Sequence, residues 1–457
     1  MRRMSERLRR GWISGLLVVA GFALRWFLVH IHPAFAGDSL VYGDLAKNML
    51  LHHVYGFSEA GTVRPTLIRL PGYPVFLAGC FAVFGLENYA AAVWVQVVVD
   101  LVGWWWLSRL AGRLFGERAG LAALALGMLC PFTANYTAVA LTETLVMFCA
   151  IVAMVGLERW MASGAGWSAW LWVIAVALMY GAMLRPDQGL FAVVIVVAMG
   201  WVSWKRAAWM PLGVMCVVMA VPFLLWGVRN ERVMHVFQPL APRFANDPGE
   251  GVTLGFNKWY RTWAIDFKAT NDVYWNWDGD AVLMGDLAPR AIDNEQQRRE
   301  TQRILDLYAL RERSTPELEA ALMRLADERV KAHPWRYYVY VPAMKVVNMW
   351  LRPRTELTDI PLDWWNFSAH ERASWEALGL AVWCGVYLVL GMVGVWMWRS
   401  EGWGVMGWVC VSFVVLRCVL LWTIDNSEPR YTLECFPMVM LFGAFVFRKR
   451  RAATVAL

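Results

Sequence analysis

A succession of apolar runs, each near the length of a membrane-spanning helix, decides most of what this chain can become. They fall at roughly 12–30, 89–108, 119–134, 141–158, 168–184, 189–204, 209–228, 376–398, 403–424 and 430–447. About 20 mostly apolar residues in a helix cross the hydrocarbon of a bilayer, and only helices or closed barrels satisfy their own backbone there. The runs predict an all-α polytopic membrane protein with about ten transmembrane helices. Apolar residues make up 59% of the 457, against about half in soluble domains. Many of the 29 Trp stand at run ends, where amphipathic rings favour the headgroup zone. The formal charge of +7 sits largely in short loops beside the runs, so it reads as membrane orientation and not as a nucleic-acid footprint.

Lys and Arg in short loops mark the cytoplasmic side. Arg2, Arg3, Arg7, Arg9 and Arg10 hold the N-terminus inside. Alternation then brings Arg109, Arg113, Arg118, Arg159, Lys205, Arg206, Arg399 and the tail Arg448 to Arg451 to the same side. Both termini are expected in the cytoplasm of a bacterial inner membrane, and the first run is expected to be an uncleaved span. Counting 67–85 as a further span would invert every later loop. That stretch and 333–351 are therefore expected to lie in or against the outer interface.

Three regions follow: an N-terminal module, 1–228, with a first outer loop at 31–88; an outer, mostly helical region, 229–375; and the C-terminal helices with a basic tail, 376–457. Within 289–331, Ile304, Leu305, Leu307, Leu310, Leu318, Leu322 and Leu325 recur at helical spacing. A solvated helical pair packed on the membrane portion is expected there. The eight Cys lie in or at the ends of apolar runs without a CxxC, which fits small buried hydrophobes better than disulfides or zinc. Seven His occur without metal-ligand spacing, so no metal or cofactor is expected.

Polar chemistry concentrates in GDSLVYGDLAKNMLLHHVYGFSEAGTVRPTLIRLPGYP, residues 37–74. A helix is expected to start at Asp38 or Ser39. Asp38 reads either as its N-cap or as a carboxylate at the lipid–water boundary, able to take a proton from a hydroxyl. Arg64 and Arg69 flank the interfacial stretch, and Arg69 precedes a proline-stiffened turn at headgroup depth, where its planar fork suits a phosphate. Glu143 lies at an outer helix end, a costly place for an acid without a partner or water. Asp100 lies deeper, where a helix-packing role is expected. Arg185 with Asp187, and Arg430 with Tyr431, form two compact charged turns expected to close over the cavity of Asp38.

In order along the chain, these motifs resemble polytopic glycosyltransferases of the GT-C type. The likeness is to bacterial relatives of protein O-mannosyltransferases and of the lipid A aminoarabinose transferase. GDSLVYGDLAKNMLLHHVYGFS resembles the family's first outer loop, and RLPGYPVFLAG its basic-x-Pro-x-Tyr stretch, which includes Tyr73. LTETLVMF, LRPDQGLF and EPRYTLECFP resemble the later outer motifs. The resemblance implies an inverting transfer of a sugar from a polyprenyl-phosphate carrier to a hydroxyl acceptor, within the bilayer and on its outer face. It implies Asp38 as the catalytic acid and Arg69 as the contact to the carrier phosphate. Arg64, Tyr73, Glu143, Arg185, Asp187, Arg430 and Tyr431 would line the substrates. Ser39 stands where many relatives carry a second acid. A transporter, or another lipid-carrier enzyme such as an O-antigen ligase or polymerase, is the alternative class.

Overall fold

The computed structural model describes residues 2–449 apart from 33, 36, 207, 208 and 312, with no side chains described for 2–7. Arg450 and Arg451 of the basic tail lie outside the described residues, as do the side chains of Arg2, Arg3 and Arg7. The chain divides into two compact units. One holds Met1–Glu250, Val386–Val414 and Leu433–Leu457, and the other Gly251–Gly385 and Val415–Thr432.

The first unit opens with α1 (Arg2–Ile31) and α2 (Asp38–Leu51), followed by a small hairpin of β1 (Gly56–Glu59) and β2 (Thr62–Pro65). Helices α3 (Gly72–Phe84), α4 (Tyr89–Phe115), α5 (Glu117–Met128), α6 (Pro131–Thr137), α7 (Glu143–Ala162), α8 (Ala169–Leu184), α9 (Gly189–Arg206) and α10 (Trp209–Met234) follow. Among the described residues the hairpin is the one sheet in a largely helical chain. Its two-residue turn, Ala60–Gly61, has φ of 47° and 83°, the positive values that match strand twist in a tight hairpin.

Among the described residues seven helices are long and apolar enough to cross a membrane, or eight if the bent pair α5–α6 is one span. The expected count of ten is not confirmed by length and composition, for physical reasons that differ by run. Run 119–134 breaks at Pro131, which has no N–H to continue a helix, and its two parts bend by 52°. Run 168–184 yields 16 helical residues, a rise of about 24 Å against a hydrocarbon core of about 30 Å. In the last run a 3₁₀ turn, Pro429–Cys435, leaves only ten α-helical residues in α18 (Phe436–Phe445). The stretch 67–85 gives a 13-residue helix, α3, too short to span.

One buried charge pair ties the first unit together. Arg25 Nε donates to Asp100 Oδ2 at 2.8 Å, and Trp104 Nε1 donates to Asp100 Oδ1 at 2.9 Å. The same guanidinium donates to the carbonyls of Gly127, at 3.1 Å, and Met128. These are the last carbonyls of α5, which a helix end leaves without partners. Arg25 thus neutralises the acid of α4 and caps the helix break in one contact. All eight Cys are free, and none forms a disulfide.

The second unit contains α11 (Leu254–Arg261), the single turn α12 (Phe267–Ala269), α13 (Glu295–Ala309), α14 (Pro316–Ala332) and α15 (Val341–Leu351). Helices α16 (Glu371–Glu401) and α17 (Gly404–Thr423) run between the units in sequence. The core of the second unit is aromatic. Trp277 stacks on Phe256 at 4.3 Å and on Tyr308 at 4.1 Å, each with planes 7° apart. Ile304, Leu305, Leu318, Leu322 and Leu325 of the α13–α14 pair join this core. Leu307 and Leu310 do not; they are exposed on the opposite face.

Because Arg25 would be left buried and uncompensated, Asp100→Ala should cost about 3–5 kcal/mol. Replacing both partners, Arg25→Met with Asp100→Leu, should cost less than the single change. Thermal unfolding of the purified protein in one detergent measures both; an Asp100→Ala transition at the wild-type temperature contradicts the role assigned to the pair.

Candidate functional site

Helix α2 starts at Asp38 because the residue before it, Gly37, adopts φ 33°, ψ −99°, a conformation that side chains resist. Asp38 is the first helical residue, and Gly37 stands at the N-cap position. Arg69 Nη2 lies 3.3 Å from Asp38 Oδ1, and both side chains are about a third exposed. Arg69 makes this one ion-pair contact among the described residues. Its remaining donors are available.

Packing holds the two ends of this pair in place. Tyr55 Oη donates to the carbonyl of Arg69 at 3.1 Å. Arg229 donates to the carbonyls of Tyr55 and Thr66, at 2.6 and 2.7 Å. Asp247, 2% exposed, accepts from the Thr66 hydroxyl and the Leu67 amide, both at 2.9 Å. The segment is thus pinned at Thr66, Leu67 and Arg69. On the helix side, Gly43 lies so close to Tyr89 that a Cβ would sit 1.7 Å from its hydroxyl.

The turn after Arg69 meets the end of α8. A Cβ on Gly72 would stand 2.5 Å from the Met183 backbone, so only glycine admits this approach. The contact brings RLPGYP against the LRPDQG turn. There Arg185 is surrounded by carboxylates: Glu143 at 3.2 Å, Asp187 at 3.2 Å and Glu434 at 3.0 Å. Glu143 and Glu434 are each 1% exposed, and Gln188 Nε2 donates to Glu434. Charge pairing at this depth is what lets both acids stay buried.

Tyr42, one helical turn after Asp38, links the two groups. Its hydroxyl feels Arg69, Asp38, Arg185 and Glu143, and burial holds it above its ordinary pKa, with Arg69 pulling the other way. Its ring meets that of Tyr73 edge-on at 5.1 Å. Asp38, Arg69, Glu143, Arg185 and Asp187 therefore belong to one neighbourhood of the first unit. Tyr42, Gln188 and Glu434 join them without having been singled out by sequence. The i, i+4 spacing from Asp38 was the available signal for Tyr42. Glu434 lies inside EPRYTLECFP.

The other expected residues have different surroundings. Tyr73 is fully buried and donates to Gln96 Oε1 at 2.6 Å, so it supports the site from the core. Arg64 is engaged by Glu59, Asp247 and Glu250 at 2.9–3.3 Å, a network that fastens the hairpin to the 247–250 turn. Arg430 and Tyr431 belong to the second unit. There Glu428 pairs with Arg430 and accepts from the Tyr431 hydroxyl at 2.6 Å. Among the described residues no three His, Cys, Asp or Glu side chains form a group able to hold a metal ion.

Residues 64–226 match the model of the family described as dolichyl-phosphate-mannose-protein mannosyltransferase, which shows for this stretch the GT-C likeness read from the motifs. The match contains Arg69, Glu143, Arg185 and Asp187, whereas Asp38, Arg430 and Tyr431 lie outside it. Among solved structures, the chain is similar to ArnT from Cupriavidus metallidurans in its apo state. The two share 16% identity over 96% of this chain and 78% of that one, with a TM-score of 0.40. The same protein bound to undecaprenyl phosphate matches at 15% identity and the same coverage, with a TM-score of 0.36. No curated protein sequence matches the chain.

Arg185→Ala should destabilise the first unit by leaving Glu143 and Glu434 buried without their counter-charge, at a cost of several kcal/mol. Adding Glu434→Gln should recover part of the loss. Unfolding temperatures of the single and double variants test this; equal temperatures for wild type and Arg185→Ala would remove Arg185 as the neutralising centre.

Proposed function

We propose that the protein is a membrane glycosyltransferase that moves a sugar from a polyprenyl-phosphate carrier to a hydroxyl acceptor on the outer face of a bacterial inner membrane, with both termini cytoplasmic. The observation that supports this most is the Asp38–Arg69 pair: a partly exposed carboxylate 3.3 Å from a guanidinium with donors to spare. The match of 64–226 to a lipid-phosphate-sugar transferase family adds to it.

The chemistry needs two charges at opposite ends of the breaking and forming bonds. Asp38 accepts the proton of the acceptor hydroxyl as its oxygen bonds to the anomeric carbon. The bond from that carbon to the phosphate oxygen breaks, and the carrier leaves as polyprenyl phosphate. Attack opposite the leaving group inverts the anomeric centre. The departing group is already a phosphate, so charge stabilisation matters more than protonation. Arg69 supplies it, because only one carboxylate competes for its fork. Arg185, held by three carboxylates, shapes the wall beside it with Glu143 and Asp187. Tyr73 supports this wall from beneath, and Arg64 secures the strand that leads to Arg69. Arg430 and Tyr431 are assigned no step.

A transporter reading would turn on Asp100, the deep acid. That carboxylate is occupied on both oxygens by Arg25 and Trp104, which favours the transferase.

Purified protein incubated with a panel of polyprenyl-phosphate sugars and simple hydroxyl acceptors should release free polyprenyl phosphate from at least one donor. Arg69→Glu should raise the apparent KM for that donor by about tenfold or more, the equivalent of one charge-assisted contact. No release from any donor would oppose the transferase reading; an unchanged KM would remove Arg69 from the carrier site.

A further inference from the structure

The stretch 333–351, expected at a membrane interface, folds as α15 and the turn that precedes it, and the proposed reaction makes no use of it. Its contacts are with α16 and α17, two helices long and apolar enough to cross a membrane. Trp422 Nε1, one residue from the end of α17, donates to the Tyr338 carbonyl at 3.0 Å. Lys345 Nζ donates to the carbonyls of Ile424 and Asp425, just past that end. Further along α15 the contacts fall deeper. Trp350 hydrogen-bonds the Cys418 side chain, five residues back along α17 from its end, or about 8 Å at helical rise. The Trp350 carbonyl accepts from the Cys384 thiol at 3.7 Å, midway along α16. Tyr338 is thus level with the end of the span and Trp350 well inside it. The helix descends beside α17.

Its two faces differ. Val341, Lys345 and Met349 are buried. Lys345 is the only charged residue from Tyr337 to Leu351, and its ammonium is spent on the carbonyls past α17. On the other face Tyr340, Met344, Val347 and Leu351 recur at steps of three and four, and all four are exposed. Trp335 and Tyr338, exposed as well, precede them. The order along the chain is from amphipathic rings to plain hydrocarbon, which is the order from headgroup to acyl chain. The two spans continue the same surface: Val415 and Val419 of α17, and Val382 and Trp383 of α16, are also exposed.

We propose that α15 is a re-entrant helix that dips into one leaflet beside α17, with Tyr340, Met344, Val347 and Leu351 against lipid acyl chains and Trp335 and Tyr338 among the headgroups. The irregular backbone that follows Leu351 then lies below the membrane surface, where such chain is tolerated only when protein or a water-filled cavity surrounds it. Residues 352–355 meet that condition, since all four are buried. Arg354 donates there to the Pro429 carbonyl at 2.6 Å and the Thr432 hydroxyl at 2.5 Å. The arrangement requires a bilayer and no turnover, so it stands or falls apart from the transferase reading.

The test is spin-label depth measurement on the full chain in phosphatidylcholine–phosphatidylglycerol nanodiscs. A nitroxide amino acid replaces Tyr340, Met344, Val347 or Leu351 singly, which leaves the native cysteines untouched. Val419 serves as the lipid reference and Gln302, exposed on the polar α13, as the water reference. Unfolding temperatures near wild type select the folded labelled proteins. Relaxation by oxygen relative to a water-soluble nickel chelate should be several-fold higher at Val347 and Leu351 than at Gln302, approaching Val419. It should also rise stepwise from Tyr340 to Leu351, a gradient that any three of the four labels are enough to show. A ratio like that of Gln302 means the stripe faces water, and low accessibility to both reagents means protein covers it; either overturns the proposal. A lipid-like ratio that stays flat from Tyr340 to Leu351 overturns the dip, because the helix would then lie along the surface.

Discussion

The ion pair between Asp38 and Arg69 joins two stretches that are 31 residues apart, and the first unit is largely a device for keeping them at that separation. A carboxylate and a guanidinium in contact with water attract each other only weakly. Their geometry must therefore come from the backbone beneath them. Gly37 sets the start of α2, and Gly43 lets that helix press on Tyr89. Arg229, Tyr55 and Asp247 hold the approach to Arg69 by its carbonyls and amides. In the proposed reaction the weakness of the pair matters, since a bound anion would take the guanidinium from Asp38 at little cost.

The deeper charges obey the opposite rule. Arg25 and Asp100, like the Glu143 and Glu434 that Arg185 pairs with, are almost fully buried, and such charges survive only when paired. The first set closes a helix break in the bundle. The second fixes the wall of the candidate site. Tyr42 stands between this rigid set and the exposed pair, a neutral hydroxyl among charges of both signs.

Much of this was legible in the sequence, for identifiable reasons. Hydrophobic length gave the helical membrane class, since run length and bilayer thickness share one scale. The placement of Asp38, Arg69, Glu143 and Arg185 near one another followed from all of them standing at run ends on one expected side. Helix count was less legible, because Pro131 and the 3₁₀ turn at 429–435 shorten runs that composition alone treats as continuous. The hairpin at 56–65 was invisible to periodicity; four-residue strands hold too few residues to show alternation. Glu434 could not be recognised because its partner, Arg185, is about 250 residues away in sequence.

The central claim is that Asp38 removes the proton from the acceptor. Single-turnover transfer from a loaded polyprenyl-phosphate donor, measured for Asp38→Asn, tests it most directly. A side chain of the same shape without basicity should slow transfer by about 10²–10⁴ while donor binding and the unfolding temperature stay near wild type. Transfer within a few-fold of wild type would contradict the account.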